Sequence, residues 1–166
     1  MLLWTKSKMP LSLVIRAITG EDCSHFSFVF QSQNRNGLVF ESNLLGTHPC
    51  FLKTSLKSHT IVHSIDVDLS AEEEDRIWDL VVDKYDGKPY DFGGVFYLGW
   101  RKILQRLFNV PLPKHNKWAK KNAYFCDEIY DVLNNISKFP KINVTRGMDT
   151  PHDVWMKLTK MEASNG

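Results

Sequence analysis

The segment 25–30 constrains the fold most strongly, because apolar and polar residues alternate along it as they do in a half-buried strand. Its apolar parity is made of three aromatic residues that share one face, Phe26, Phe28 and Phe30. A polar reversal at 31–37 contains the turn dipeptide Asn36-Gly37, and a second apolar run follows at 38–41. We predict that the two runs form an antiparallel hairpin.

Three further segments complete the predicted sheet region. The short apolar run at 11–15 is predicted to be a first strand. The segment 43–57 is interrupted by Gly46 and Pro49, so we expect a loop or an irregular edge there. Residues 59–69 alternate again and are predicted to form a third long strand.

The second half of the chain has helical patterns. Ser70 and Glu73 form a capping-box motif, which predicts a helix that begins at Ala71. Residues 95–108 form a second predicted helix, and its apolar residues on several faces indicate that it is well covered. A third helix is expected over 124–133, and a last one over 153–161 with Thr150 as its N-cap. We therefore expect one domain over residues 1–166 that contains an antiparallel hairpin, a further strand and several helices.

Composition limits the function classes. The chain has 166 residues, 43% of them hydrophobic, and a net charge of +2, which gives no reason to expect a nucleic-acid partner. Its three cysteines are odd in number and lack CxxC spacing, so neither a disulfide framework nor a zinc ribbon is expected. No run approaches the about 20 apolar residues of a membrane span, and no signal peptide is recognisable. We expect a cytoplasmic protein.

Cys126 is the candidate nucleophile. It falls in the first turn of the third predicted helix, where unpaired N–H groups and the macrodipole favour a thiolate. The alternative is a small buried apolar cysteine. Cys23 is a competitor, but a strand pattern follows it instead of a helix, so we interpret it as structural.

A nucleophilic cysteine needs a base and a third group that orients the base. Among the six histidines we favour His25, because it begins a strand that would fix its orientation. Glu41, at the end of the next apolar run, could orient its imidazole. A reversal centred near Gln33 would set Glu41 opposite His25, whereas a turn at Asn36-Gly37 would shift the pairing by several residues.

Five pieces of sequence follow one another in an order that carries a resemblance to a known family: Ser24-His25, Val39-Phe40-Glu41, Gly87-Lys88-Pro89-Tyr90-Asp91, Phe125-Cys126-Asp127-Glu128 and Thr150-Pro151-His152-Asp153. Over about residues 12–158 the chain resembles the circularly permuted branch of the NlpC-like, papain-fold cysteine hydrolases, the YiiX-like proteins. The resemblance implies an α+β, permuted papain-like (NlpC-type) fold, in which an antiparallel sheet packs against helices. It also implies Cys126 as nucleophile, His25 as general base and acid, and Glu41 as the residue that orients His25. Asp127 departs from the serine that is commoner there, and its carboxylate would raise the pKa of a neighbouring thiol.

These residues predict a cysteine peptidase or amidase that cleaves a peptide, isopeptide or other acyl-containing substrate through a thioester, with no metal or cofactor. One alternative is a lipid acyl hydrolase or acyltransferase of the lecithin–retinol acyltransferase type. Those relatives usually carry a second histidine where Glu41 stands, and often a membrane anchor. The other alternative is an inactive binding module with the same fold.

Overall fold

The computed structural model describes residues 1–120, 122–125, 127–136, 139, 141–145 and 147–165. The strands are β1 (Leu2–Ser7), β2 (His25–Val29), β3 (Leu38–Asn43), β4 (Gly46–Phe51) and β5 (His59–Ile65). The helices are α1 (Pro10–Thr19), α2 (Leu52–Ser55), α3 (Ala71–Tyr85), α4 (Phe92–Phe108), α5 (Tyr130–Leu133) and α6 (Pro151–Asn165), and a 3-10 turn at Asp127–Ile129 precedes α5.

The five strands form one antiparallel sheet in the order β4-β3-β2-β1-β5. The predicted hairpin of β2 and β3 is confirmed, and so is the α+β class with helices around an antiparallel sheet. β1 lies in the sheet between β2 and β5, so the N-terminal strand joins the hairpin to the last strand.

The two faces of the sheet carry different residues because side chains alternate along each strand. One face presents the large apolar residues Trp4, Phe26, Phe28 and Phe40, which pack in the main core with residues of α3, the 3-10 turn, α5 and α6. The indole Nε1 of Trp4 donates a 2.8 Å hydrogen bond to the carbonyl oxygen of Pro151, which ties α6 to this face.

The opposite face of the sheet has a smaller apolar cluster, formed by Leu3, Val29 and Val39. His25 and Glu41 lie on this second face, at the end of the sheet where β2 begins and β3 ends. The polar residues are therefore separated from the main core by the thickness of the sheet.

The prediction of a strand at 11–15 is wrong, because these residues belong to α1. Pro10 is suited to the first helical position, and Gly20 ends the helix with a left-handed φ of 75°. The apolar residues recur at helical spacing, at positions 11, 14, 15 and 18. The first strand is instead β1, upstream of Pro10.

The segment 43–57 is more regular than the sequence indicated. It contains β4, a complete edge strand, followed by the short helix α2. Pro49 is tolerated in β4 because an edge strand has a side that makes no ladder hydrogen bonds. The third predicted strand is real but ends at Ile65.

The capping box at Ser70 is confirmed, since the side chains of Ser70 and Glu73 each accept from the other's backbone N–H.

The second helix begins earlier than predicted, at Phe92, with Asp91 as its N-cap. The prediction that this helix is well covered is wrong, because the exposed fractions of Phe96, Trp100 and Phe108 are 62%, 54% and 69%. These residues lie on α4 outside the core clusters.

The helix predicted over 124–133 is shorter than expected. Its described part is three residues of 3-10 turn followed by the four residues of α5. Tyr124 is instead extended, since its N–H donates to the carbonyl of Pro89 and its carbonyl accepts from the N–H of Asp91. Because of this long-range bridge, the helix does not begin at Tyr124 as the local pattern predicts. Cys126 itself lies outside the described residues.

The last helix is longer than predicted, with Thr150 capping Asp153 at its start.

Candidate functional site

His25 and Glu41 form a buried histidine–carboxylate pair across β2 and β3. The sequence left two registers open, and the structure has neither: Glu41 pairs with Ser27, which is two residues from the register set by a reversal near Gln33. A shift of two residues keeps the side chains on one face of the sheet. The Nε2 atom of His25 consequently lies 3.5 Å from the Oε2 atom of Glu41. The structure thus brings these two predicted residues together, and both are less than one-tenth exposed.

Glu41 is held by two further hydrogen bonds. Ser55 Oγ donates to one carboxylate oxygen at 2.7 Å, and Asn43 Nδ2 donates to the other at 2.9 Å. Burial by itself raises the pKa of Glu41. The hydrogen bond and charge of His25, with the bonds from Ser55 and Asn43, outweigh burial and lower the pKa to about 2. Glu41 is therefore a fixed anion beside the imidazole over the physiological pH range.

His59 is a second imidazole of the site, which the sequence reasoning placed only at the flank of a loop. It begins β5, and its ring stacks on that of His25 with centroids 5.2 Å apart and planes inclined by 25°. Its Nδ1 lies 2.9 Å from the carbonyl oxygen of Ser55, so Nδ1 carries the proton. Burial and the neighbouring charge of His25 lower the pKa of His59. Ser55 thus contacts both Glu41 and His59.

The two histidines line one groove, which we call the histidine groove. Its volume is about 390 Å³, and it lies between the start of α1, the end of β3 and the loop before β5. Residues that line it include Ser12, Ser24, His25, Asn43, His59 and Tyr90. His25 therefore borders an open groove as well as the carboxylate of Glu41.

The described neighbours of residue 126 contact the elements that surround His25. The carbonyl oxygen of Tyr124 accepts a 3.2 Å hydrogen bond from Ser42 Oγ, one residue after Glu41. Phe125 and Ser24, the residue before His25, line the same cavity. On the other side of position 126, the turn Asp127–Ile129 packs against β2. The residues before and after position 126 therefore both lie near the start of β2.

The two other cysteines are poor nucleophiles. Cys23 is fully buried in the main core. Cys50 is half-buried, and burial together with the charge of Glu41 raises its pKa to about 12. The thiol of Cys50 is therefore protonated at neutral pH, and the burial of Cys23 keeps its sulfur away from a ligand in solution.

Two groups of side chains in the described part of the chain are close enough to share a metal ion: Asp22, Cys23 and His152, and Glu41, His48 and Cys50. Cys23 is buried, and the raised pKa of Cys50 opposes the thiolate that a metal would require. The Glu41 carboxylate is also engaged by Ser55 and Asn43. Glu41 is therefore better placed to pair with His25 than to bind a metal ion.

Comparison with known proteins gives a plain result. No family model, curated protein or solved structure matches this chain. Of the helices in the described ranges, none has the length and apolar character to cross a membrane.

Proposed function

We propose that this chain is a thiol hydrolase of the permuted papain-like type, which cleaves an amide or isopeptide bond with Cys126 as nucleophile and His25 as base. The buried His25–Glu41 pair at the end of an open groove carries the proposal. A histidine held by a carboxylate is the arrangement that thiol and serine nucleophiles need. The contacts made on both sides of position 126 support a thiol beside that histidine.

Under this proposal the two ring nitrogens of His25 have different roles. Nε2 faces Glu41, so proton transfer with the thiol is left to Nδ1. The anionic Glu41 stabilises the imidazolium that forms when Sγ gives up its proton. The helical segment after position 126 is short, with three 3-10 residues and four α-helical ones, so its dipole contributes little. Thiolate formation consequently depends on His25.

The reaction proceeds in two halves. The thiolate of Cys126 attacks the carbonyl carbon, the C–N bond breaks, and the leaving amine takes the proton from His25. A water molecule then gives its proton to His25 and attacks the thioester. The C–S bond breaks, the carboxylic acid leaves, and the thiol regains its proton.

Trapping of the acyl-enzyme tests the proposal. p-Nitrophenyl acetate is mixed with the protein, and the released p-nitrophenolate and the mass of each cysteine-containing peptide are measured. We expect one acetyl group per chain on the peptide that contains Cys126. The signal is expected to be lost in Cys126→Ser, strongly slowed in His25→Ala and kept in the matched control Cys50→Ser. Acetylation that is unchanged in Cys126→Ser would refute the nucleophile and favour a binding module.

A further inference from the structure

The two edges of the sheet differ in how their backbone groups are used. β4 is one edge, where Thr47 exchanges hydrogen bonds with the backbone of Gly87 and Lys88, and Pro49 has no N–H. β5 is the other edge, and among the described elements only β1 packs extensively against it. Residues 59–65 of β5 include no proline, lysine, arginine, aspartate or glutamate, the residues that commonly protect an edge strand. The edge of β5 is therefore open.

The pairing of β1 shows which groups of β5 point away from the sheet. Met1 and Val29 exchange both of their backbone hydrogen bonds, so every second residue after Met1 faces β2 and the residues between face β5. Ile61 and Ser64 pair with residues of β1 that face β2, so their own N–H and C=O groups face the open edge. Both residues are exposed, and within the described ranges no other group bonds to them at this edge.

Unpaired N–H and C=O groups along a strand select an extended peptide backbone, which offers matching groups at the same spacing. A second copy of this chain is a poor occupant. Stable protein–protein interfaces bury about 1,200 Å² or more. Along β5, whose residues are all described, Ile61 is the only exposed large apolar side chain, at 46%. The edge thus suits a single peptide strand better than a dimer contact.

The open edge begins at the histidine groove. His59, the first residue of β5, lines the groove, and its ring stacks on that of His25. All strand pairs of this sheet are antiparallel, and a strand that adds to β5 in that sense runs towards His59. Its carboxyl-terminal end therefore enters the groove, and up to about 20 Å of extended chain lies along β5.

We propose that the open edge of β5 binds, as an added strand, the segment of a polypeptide substrate that precedes the cleaved bond. The inference rests on the proposed function only for the position of that bond. Asp66 and Asp68 follow β5 directly and are exposed. They lie at the far end of the edge, beside the amino-terminal part of the bound segment, so a lysine or arginine is favoured there.

Binding to a protein without the thiol tests this inference. Cys126→Ala protein is titrated with acetyl-Lys-Thr-Val-Thr-Val-Thr-Val-Gly-Gly-amide, followed by calorimetry and by amide hydrogen exchange with NMR detection. We expect the amides of Ile61 and Ser64 to exchange about tenfold more slowly, or slower still, at saturation. The amides of Thr60 and His63, which already face β1, are expected to change by less than about twofold.

Two N-methylated sets of this peptide are matched controls, because methylation at alternate residues removes the N–H groups of one edge of the bound strand. One set lacks the N–H groups that face β5, and we expect it to bind about tenfold more weakly or worse. The other set lacks the N–H groups that face solvent, and it is expected to keep its affinity within about twofold.

Variants of the edge supply the complementary test. Ser64→Pro removes an N–H that faces the peptide and is expected to weaken binding about tenfold, whereas Ser64→Ala is expected to bind like the parent protein. If Ser64→Pro does not fold, the exchange pattern and the N-methylated peptides still decide the matter. Replacement of both Asp66 and Asp68 by Asn is expected to remove the preference for a leading lysine over a leading glutamate.

The inference is overturned if the peptide does not bind, if all amides of β5 gain protection equally, or if both N-methylated sets lose affinity equally. Protection of Ile61 and Ser64 that rises with protein concentration in the absence of peptide would instead show a dimer contact and also contradict it. Because these proteins lack the Cys126 thiol, failure of the proposed hydrolase chemistry would leave peptide binding intact. Failure of the edge assignment would leave acetylation of Cys126 by p-nitrophenyl acetate intact.

Discussion

The carboxylate of Glu41 lies 3.5 Å from Nε2 of His25 across two adjacent antiparallel strands, and both side chains are buried. A buried carboxylate in this position fixes the ring orientation and stabilises the protonated imidazole. The pair is the structural centre of the proposed activity, and most of the predictions below concern it.

Replacement of Glu41 by Gln keeps the size of the side chain and removes its charge. We expect kcat to fall by about 10²- to 10⁴-fold, because the amide stabilises the imidazolium poorly and can hold the wrong tautomer. The measurement is steady-state turnover of an amide substrate, with circular dichroism as a check of folding. Asn43→Ala, which removes only one of the hydrogen bonds to Glu41, is the milder control. A folded Glu41→Gln protein with full kcat would contradict the assigned role.

The low pKa of Glu41 predicts acid sensitivity. Its pKa is about 2 in the folded chain against 4.5 for the unperturbed group. A depressed pKa stabilises the folded state above the unfolded value, and this contribution is lost as pH falls through the folded value. Between about pH 4.5 and pH 2 we expect the wild type to lose on the order of 3 kcal/mol in its free energy of unfolding relative to Glu41→Gln.

Urea unfolding across that pH range measures the difference. Ser55→Ala removes one hydrogen bond to the carboxylate and is expected to show a smaller loss than the wild type. If the wild type and Glu41→Gln lose stability in parallel as the pH falls, Glu41 is not the strongly perturbed group described above.

The stacked ring of His59 predicts a charge effect on His25. His59→Phe keeps an aromatic ring beside His25, so we expect kcat to fall by less than about tenfold. His59→Lys places a cation near the imidazole and opposes its protonation, so we expect a fall of well over tenfold at neutral pH. Turnover of one substrate by both folded variants makes the comparison. Equal activity in the two would show that His59 has no electrostatic influence on His25.

Two glycines of α4 predict opposite effects of the same substitution. A Cβ atom at Gly94 would lie 2.4 Å from the ring of Phe125, the residue before Cys126, whereas one at Gly99 would make ordinary contacts. We expect Gly94→Ala to cost about 1–3 kcal/mol and to reduce turnover by displacing Phe125. Gly99→Ala is expected to be neutral or to stabilise the helix by up to about 1 kcal/mol. Thermal unfolding and turnover distinguish the pair, and equal stability in both would contradict the contact with Phe125.

Local patterns predicted three of the five strands, β2, β3 and β5, and the start of α3. The alternating phenylalanines gave β2 and its hairpin partner, and Ser70 with Glu73 gave the first residue of α3. The short apolar run at 11–15 fits a strand by itself, but Pro10 at the first helical position and Gly20 at the C-cap make the whole segment a helix.

The remaining features depend on contacts distant in sequence. Tyr124 is extended because it bonds to Pro89 and Asp91, which the local helical pattern does not reveal. The proximity of His25 and Glu41 could be predicted without the exact register, because a shift of two residues leaves both side chains on the same face of the sheet. The approach of His59 follows from the pairing of β5 with β1, which the sequence alone did not indicate.

The central claim is that the thiol of Cys126 is activated by His25. The most direct test is the rate constant for iodoacetamide labelling at each cysteine near neutral pH, measured by peptide mass spectrometry in wild type, His25→Ala and the control His152→Ala. The account predicts that Cys126 reacts faster than Cys23 and Cys50, and that His25→Ala slows it at least tenfold while His152→Ala leaves it unchanged. Equal labelling of Cys126 in all three proteins would contradict the account.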